Sequence, residues 1–376
     1  MQVVMDGVVF RDQSHGGISR LFHEILPRMC ALDPDLTITL LTLGGLRQPL
    51  PAHPRLRHRR LLPVDQVLRP RRLWWPVINR ARTFLQRQAL GPAAGRLWHS
   101  TYYTRLPDWS GPTVVTVYDL IYERFPHLFN QPADEAFRRE KRACLLAAEA
   151  VICISEATRV EVLEYYGLPP GRVWAVPLAA SPAFRLLPAD ERGQPGPPFL
   201  LYVGGRVHYK NFWTLARAYA GWSARGDVAL VVIGPPPSEL ESAELRRLGV
   251  AGRVRWLSRV EDAALCRLYN HASAFVYPSL SEGFGIPLLE ALACGCPVAA
   301  SRIPSTEEVA GDCACYFDAA DPDSLRAALE AALAEGRDPA AVGRRLERAA
   351  RFSWDRTAAG TLAVYRRVCA QADGDG

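Results

Sequence analysis

A chain of 376 residues is long enough for two domains, because single hydrophobic cores tend to split beyond about 250–300 residues. Its 49% hydrophobic and 22% charged residues exclude a largely disordered chain. The N-terminal residues lack the basic and apolar regions of a signal peptide, and no run of about 20 apolar residues predicts a membrane-spanning helix. The nine cysteines have no zinc or CxxC spacing. We therefore expect a cytoplasmic protein with reduced thiols.

In the first half of the chain, short apolar runs alternate with amphipathic segments of helical length. This rhythm predicts strands joined by helices. The predicted strands are Val3–Met5, Thr37–Leu41, Leu97–His99, Thr113–Val117, Val151–Ile154 and Trp174–Val176, and the predicted helices are Ile18–Ala31, Glu135–Ala148 and Glu156–Tyr165.

A basic segment, Arg55–Arg87, interrupts this pattern. It holds ten arginines and one acidic residue, Asp65, together with the tryptophan pair Trp74 and Trp75. Arginine mixed with tryptophan suits an anionic membrane surface, so peripheral binding to the inner face of the plasma membrane is one interpretation. A solvated, partly packed surface helix is the other. We do not expect nucleic acid as a partner.

The second half shows the same alternation more clearly. A segment with five prolines, 181–198, predicts a linker between the two halves. Beyond it, strands are predicted at Phe199–Val203, Val228–Ile233, Val254–Leu257, Ala274–Tyr277, Val298–Ala300 and Cys315–Phe317, with helices at Asn211–Ala224, Glu239–Leu248 and Glu261–His271. A last helix follows Ser353, a good N-cap.

This order of elements predicts an α/β protein with two Rossmann-like, doubly wound domains that face a central cleft. The expected N-terminal domain comprises residues 1–180 and would bind the acceptor, and the C-terminal domain comprises residues 199–352. Residues 353–376 are expected to form a helix that packs back on the N-terminal domain.

The strongest local motif runs from Ser281 to Glu290, after a predicted strand and into a predicted helix. Its glycines let the backbone approach a ligand closely, and the unpaired N–H groups of a helix start attract a diphosphate. Glu290 is placed to accept hydrogen bonds from ribose hydroxyls, and Glu282 to hold sugar hydroxyls and favour positive charge at the anomeric carbon. The alternative is a structural turn with capping carboxylates. The expected donor-binding turn residues are Gly283, Phe284, Gly285 and Ile286.

A second glycine turn, Gly204-Gly205, is followed by Arg206 and Lys210. Two cations at one turn would present charge to the same cleft. The guanidinium can fork onto phosphate oxygens, and the ammonium acts as a point charge on a leaving diphosphate. This would replace a metal ion, and no Asp-x-Asp pair is placed to hold one. A solvated charge pair is the competing interpretation.

Together these motifs resemble family 4 of the retaining glycosyltransferases, which have the GT-B fold. The family has an E-x7-E motif that is similar to the spacing of Glu282 and Glu290. It also has a Gly-Arg…Lys-Asn motif that is similar to the sequence around Arg206 and Lys210. The resemblance implies transfer of a hexose from a nucleotide-diphosphate sugar with retention and without metal or another cofactor. The motif sequences are most similar to those of bacterial O-antigen and capsule mannosyltransferases. The resemblance therefore implies GDP-mannose as the first expected donor and a saccharide or lipid-linked molecule as the acceptor.

The resemblance also implies roles for residues outside these motifs. Gly16 and Gly17 are similar to the family's N-terminal glycine loop, whose backbone meets the donor diphosphate. The base is expected near Arg255–Val260, which includes Ser258, and near Tyr277–Ser281.

One position departs from the family's pattern. Tyr118-Asp119 stands where many members have His-Asp near the donor hexose. Both are candidate catalytic residues. Tyr118 can donate a hydrogen bond but is no base at neutral pH, and the alternatives for Asp119 are that it orders the loop or caps the strand end. The departure motivates an alternative function, a catalytically silent GT-B subunit that binds a sugar nucleotide or a partner enzyme. A nucleotide-sugar epimerase is a third.

Overall fold

The computed structural model describes residues 1–12, 16–43, 45–61, 95–106, 109–194, 196–222 and 226–374. The chain divides into two compact units. The first comprises Met1–Leu178 and Trp354–Gly376, and the second comprises Ala179–Ser353.

The first unit contains a parallel sheet, and the part of the chain that the structure describes contributes seven strands to it. Their order is β3-β2-β1-β4-β5-β6-β7, so the chain moves outward from β1 and then crosses back to β4. The strands are β1 Gln2–Asp6, β2 Thr37–Leu43, β3 Leu56–Leu61, β4 Arg96–Ser100, β5 Thr113–Val117, β6 Ala150–Cys153 and β7 Val173–Ala175.

Helices follow most of these strands, as parallel connections require. They are α1 Val8–Asp12, α2 Gly17–Leu32, α3 Ile121–Arg124, α4 Pro132–Ala147, α5 Glu156–Tyr166 and the C-terminal α14 Trp354–Gly374. Helix α14 joins this unit through Thr357, which donates to the Pro177 carbonyl at 2.7 Å, and through Tyr365, whose hydroxyl bonds His99 Nδ1.

The second unit is a doubly wound sheet of its own, with six parallel strands among the described residues in the order β10-β9-β8-β11-β12-β13. Its strands are β8 Phe199–Val203, β9 Ala229–Ile233, β10 Val254–Leu257, β11 Ala274–Tyr277, β12 Val298–Ser301 and β13 Cys315–Phe317. Its helices are α6 Ala189–Arg192, α7 Phe212–Gly221, α8 Glu239–Arg247, α9 Asp262–His271, α10 Ile286–Ala293, α11 Pro304–Ala310, α12 Pro322–Glu335 and α13 Pro339–Ala350.

The inner strands are apolar along their length because helices cover both faces of the sheet. All five residues of β9 and all four of β11 are buried. The aromatic side chains Tyr202, Phe212 and Tyr219 pack with Leu200 and Leu230 in the core of the second unit. A strand that is buried on both faces has apolar residues at successive positions rather than at every second one. These strands could therefore be assigned from the sequence as apolar runs.

The structure adds to the sequence-based assignment in several segments. Residues 181–198, which the sequence predicts as a linker, are grouped with the second unit. There, the Leu187 N–H donates to Asn270 Oδ1 at 2.9 Å, and His271 bonds the Arg192 carbonyl at 2.7 Å. Strand β3 was not predicted, because four of its six residues are exposed, as at a sheet edge, so it lacks the apolar signal of a buried strand.

Candidate active site

The candidate site lies where the winding of the second sheet reverses. Strand β8 is flanked by β9 on one side and β11 on the other, and the chain leaves β8 in one direction and returns at β11. Crevices at such switch points, beyond the carboxyl ends of the strands, are where open α/β sheets bind ligands. The turns that follow β8 and β11 meet there, and the Leu280 N–H donates to the Tyr209 carbonyl at 2.7 Å.

An ion pair joins these two turns. The ammonium of Lys210 lies 2.7 Å from Glu282 Oε1, with the two side chains 22% and 10% exposed. The same carboxylate oxygen accepts from Ser279 Oγ at 2.6 Å. Tyr277 also hydrogen-bonds Glu282, and its pKa is raised well above the ordinary value by burial and then by the carboxylate charge. A cation and an oriented carboxylate therefore share one partly open position.

Asn211 explains how Lys210 reaches this position. It adopts the left-handed conformation with φ 55° and stands at the start of α7. Its amide donates to the Pro278 carbonyl at 3.0 Å and to the Ala319 carbonyl at 2.7 Å. Asparagine tolerates this backbone conformation better than most residues. Its side chain thus fastens the Lys210 turn to the loop after β11.

Helix α10 begins beside this pair. Its N-cap, Gly285, has φ 108° and, as a glycine, provides no side-chain cap to the N–H groups of the first turn. A β-carbon at Gly285 would lie 3.5 Å from the ring of Tyr277, but the positive φ alone favours glycine. Phe284 is buried against Phe352, so only its backbone can serve a ligand. Gly283 is buried, and Ile286, the first helical residue, is half-buried.

Glu290 and Glu282 have different partners. Glu290 lies further along α10, is 4% exposed and accepts from the Tyr269 hydroxyl at 3.3 Å. Burial and the carboxylate charge both raise the pKa of Tyr269. The two carboxylates, with seven residues between them in the chain, therefore lie in different surroundings, one beside a cation and one beside a phenol.

Arg206 has a carboxylate partner of its own. Its Nε and Nη2 hold Glu241 at 2.7 and 3.0 Å, and the guanidinium lies 4.8 Å above the ring of Trp256. The two cations predicted at one turn therefore have different carboxylate partners: Lys210 pairs with Glu282, and Arg206 pairs with Glu241. Their contact with a donor diphosphate stays a prediction. Sequence reasoning missed Glu241 because nothing local marks a carboxylate 35 residues away as the partner.

Other expected donor-binding residues lie at strand or helix ends. Ser258 follows β10, is exposed, and donates to the Gly234 carbonyl at 3.0 Å. Gly16 and Gly17 are exposed at the start of α2 in the first unit, where Gly16 is the N-cap. Its carbonyl accepts from Ser19 Oγ at 3.1 Å.

Tyr118 and Asp119 follow β5 in the first unit. Tyr118 is 5% exposed, and its hydroxyl donates to the Thr101 carbonyl at 2.6 Å. Its pKa is raised well above the ordinary value, chiefly by burial. The hydroxyl is therefore hydrogen-bonded inside the fold, and the role of Tyr118 in transfer stays a prediction. Asp119 Oδ1 accepts from the Ile121 N–H at 3.1 Å and so orders the start of α3.

A buried ion pair that the sequence did not reveal supports this loop. Lys141 and Glu123 are each 1% exposed and lie 2.9 Å apart. Lys141 also donates to the Asp119 carbonyl at 2.7 Å, and Glu123 accepts from the Tyr166 hydroxyl at 2.7 Å. The network ties α4 and α5 to the backbone of Asp119. No spacing rule connects these residues, since they come from three separate helices.

The basic segment falls mostly outside the described residues, from 62 onward. The part that is described forms β3, in which Arg57, Arg59 and Arg60 are exposed. No helix in the described ranges is both long and apolar enough to cross a membrane. Within the same residues, no group of three or more His, Cys, Asp and Glu is arranged to hold a metal ion.

Two family models match the chain. Residues 15–184 match "Glycosyltransferase Family 4", and residues 186–350 match "Glycosyl transferases group 1".

Curated relatives span most of the chain. The O-antigen chain mannosyltransferase B of Escherichia coli is 28% identical over 77% of this chain and 83% of its own. Alpha-maltose-1-phosphate synthase of Mycobacterium tuberculosis is 30% identical over 74% of this chain and 80% of its own.

Solved structures confirm the expected GT-B fold. Sucrose-phosphate synthase from Thermosynechococcus elongatus superposes with a TM-score of 0.76 at 21% identity, covering 99% of this chain and 100% of that one. Anabaena HepE in complex with UDP and glucose gives a TM-score of 0.68 at 15% identity, covering 98% and 100%.

Proposed function

The chain belongs to glycosyltransferase family 4, and on that premise we propose that it is a retaining hexosyltransferase. It moves mannose from GDP-mannose to a saccharide or lipid-linked acceptor. The observation that carries the proposal is the ion pair of Lys210 and Glu282 at the switch point of the second sheet. Mannose is favoured because the relative from Escherichia coli is a mannosyltransferase.

The pair supplies the two charges that such a transfer needs. Lys210 and the N–H groups at the start of α10, where the N-cap is a glycine, stabilise the negative charge on the leaving diphosphate. Glu282 accepts from sugar hydroxyls and favours the positive charge that develops at the anomeric carbon. The leaving phosphate takes the proton of the acceptor hydroxyl on the same face, so retention needs no base from Tyr118. Lys210 and the helix N–H groups take the place of a metal ion.

An aromatic group near Asp119 supports a saccharide acceptor. The half-buried rings of Tyr122 and Phe129 stack at 4.2 Å, and Phe137 lies 4.6 Å from Tyr122 and 5.7 Å from Tyr102. The charge of Asp119 helps to raise the pKa of Tyr102 to about 12, after burial. Rings present apolar faces to the C–H groups of a sugar, and a carboxylate accepts from its hydroxyls.

Thermal-shift measurements with GDP-, UDP-, dTDP- and ADP-sugars identify the donor, because a bound ligand stabilises by mass action. We expect the largest shift with GDP-mannose, unchanged by EDTA. Proton NMR of the product should show the α-anomer, as in the donor. Inversion, or a requirement for a divalent cation, would contradict the proposal. Donor binding without any transfer or hydrolysis would instead favour a catalytically silent subunit, and epimerised donor an epimerase.

We also propose that residues 55–87 bring the protein to an anionic membrane surface, where a lipid-linked acceptor would lie. The support is their arginine and tryptophan content. Co-sedimentation with vesicles containing phosphatidylglycerol should occur at low salt and weaken at 0.5 M salt. Absence of binding at low salt would refute it, and equal binding to neutral vesicles would remove the role of charge.

A further inference from the structure

Arg206 has nearly exhausted its hydrogen-bonding capacity within the second unit. Its Nε and Nη2 donate to the two oxygens of Glu241 at 2.7 and 3.0 Å. Nη1 donates to the Pro235 carbonyl at 2.8 Å, and Nη2 to the Pro236 carbonyl at 3.0 Å. A guanidinium has five N–H donors, so these four bonds leave one. In this arrangement Arg206 lacks the second parallel N–H that a bidentate hydrogen bond to a phosphate requires.

We propose that Glu241 is a positioning residue for the donor site, which holds Arg206 in one orientation so that the guanidinium braces the turn after β9 and offers a single N–H to the donor. This inference rests on the proposed function, since the donor is a nucleotide-diphosphate sugar. It assigns the two motif cations different tasks. Lys210 neutralises the diphosphate directly, and Arg206 organises the backbone beside it.

The braced turn is in direct contact with the turn that carries Arg206. A β-carbon at Gly234 would lie 2.6 Å from the Gly204 carbonyl oxygen, so the two backbones touch. The Gly204 N–H donates to the Ile233 carbonyl at 3.0 Å, and the Gly234 N–H to the Leu257 carbonyl at 3.0 Å. The ends of β8, β9 and β10 are therefore closely packed against one another. Because of this packing, a shift of the turn after β9 would also displace the Gly204-Gly205 turn of the donor site.

Glu241 remains ionised at neutral pH. The Arg206 hydrogen bonds, followed by smaller contributions from Ser238, lower the pKa of Glu241 to about 2. Trp256 covers the other face of the guanidinium at 4.8 Å, which adds a cation–π contact. The bidentate geometry and the ring together fix both the position and the plane of the guanidinium.

Glu241 also has a structural task, which the experiment must separate. It forms a capping box at the start of α8: its Oε2 accepts from the Ser238 N–H at 2.7 Å, and Ser238 Oγ accepts from the Glu241 N–H at 3.2 Å. Ser238→Ala weakens this cap without touching Arg206. Glu244→Ala removes another carboxylate of the same helix, whose partner is the exposed Arg247.

The test measures donor KM and kcat for Glu241→Ala beside these two controls, with circular dichroism to verify folding. We expect Glu241→Ala to raise donor KM about tenfold and to change kcat by less than about twofold, because a freed guanidinium no longer braces the turn. Ser238→Ala and Glu244→Ala should keep the wild-type KM. In an Arg206→Ala background, Glu241→Ala should cause no further change, because it acts through Arg206.

Three results would overturn the inference: an equal rise in KM for Ser238→Ala, an additive loss in the double variant, or a lower KM for Glu241→Ala. The last would mean that Glu241 competes with the donor for Arg206. These outcomes are distinct from a failure of the proposed function, in which the wild-type protein itself binds no nucleotide sugar in the thermal-shift screen.

Discussion

The ammonium of Lys210 lies 2.7 Å from Glu282 Oε1, although 72 residues separate them in the chain. The contact exists because β8 and β11 are neighbours in the sheet, so the turns that follow them meet. It brings together the two motifs that the sequence marks most clearly.

Loss of either charge should lower the rate of transfer strongly while the fold survives. We expect Glu282→Gln and Lys210→Met each to lower kcat at least about 100-fold, the usual effect of losing an oriented charge from a transition state. Release of nucleoside diphosphate under saturating donor measures this. Glu307→Gln, which alters an exposed carboxylate paired with Arg302, should retain full activity. Near wild-type turnover in Glu282→Gln would remove the role assigned to that carboxylate.

Substitution of Asn211 tests whether its side-chain hydrogen bonds hold the turn after β8 against the loop after β11. Asn211→Gly removes the two hydrogen bonds that the amide donates and the one that Oδ1 accepts from Thr214, but suits the φ of 55°. Asn211→Ala removes the same three bonds and adds strain of about 1–2 kcal/mol. Donor KM should therefore rise equally in both variants, and the thermal midpoint should fall further for alanine. If donor KM followed the thermal midpoint instead, general loosening of the fold would explain the effect.

The aromatic group near Asp119 predicts a change confined to the acceptor. Phe137→Leu keeps an apolar side chain but loses the flat ring, so acceptor KM should rise about fivefold while donor KM stays constant. The matched variant Phe125→Leu alters a half-buried ring next to His127 and should leave both constants unchanged. Initial rates at varied acceptor, with a synthetic mannoside, provide the measurement. An unchanged acceptor KM in Phe137→Leu would contradict this placement.

The buried pair of Lys141 and Glu123 should respond asymmetrically to substitution. Lys141→Met leaves a carboxylate buried without its cation, which costs about 3–5 kcal/mol, and the free energy of unfolding in urea should fall by that amount. Adding Glu123→Gln should recover part of the loss, because the charge disappears while Tyr166 keeps an acceptor. Arg302→Ala, at an exposed pair, should cost less than about 1 kcal/mol. Equal costs for Lys141→Met and Arg302→Ala would refute the argument.

His99 should make stability fall in mild acid. Burial lowers the pKa of His99 to about 3, from an ordinary value of 6.5. Between these values the unfolded chain binds a proton that the folded protein does not, so stability decreases as the pH falls from about 6.5 toward 3. At pH 5 this amounts to about 2 kcal/mol. Urea midpoints at pH 7 and pH 5 should differ less in His99→Gln than in the wild type. The exposed His127→Gln should keep the wild-type difference, and an identical slope in both variants would oppose the assignment.

Local patterns determined the elements and the main motifs. Strands buried on both faces are recognisable as apolar runs, and β8, β10, β11 and β13 begin and end where the sequence predicts. A glycine turn between a strand and a helix is recognisable too, because few other residues permit its backbone conformation. The edge strand β3 carries no such apolar signal, because its residues are mostly exposed.

Tertiary structure decided which charges meet. The sequence places Arg206 and Lys210 four residues apart at one turn, yet the sheet order brings α8 to the first and the β11 loop to the second. Tertiary structure also decides the partner of Tyr118, whose hydroxyl donates a hydrogen bond to a carbonyl 17 residues earlier in the chain. The physical reason is that periodicity and turn chemistry act between near neighbours, whereas ion pairs and buried hydrogen bonds depend on which strands become adjacent in the sheet.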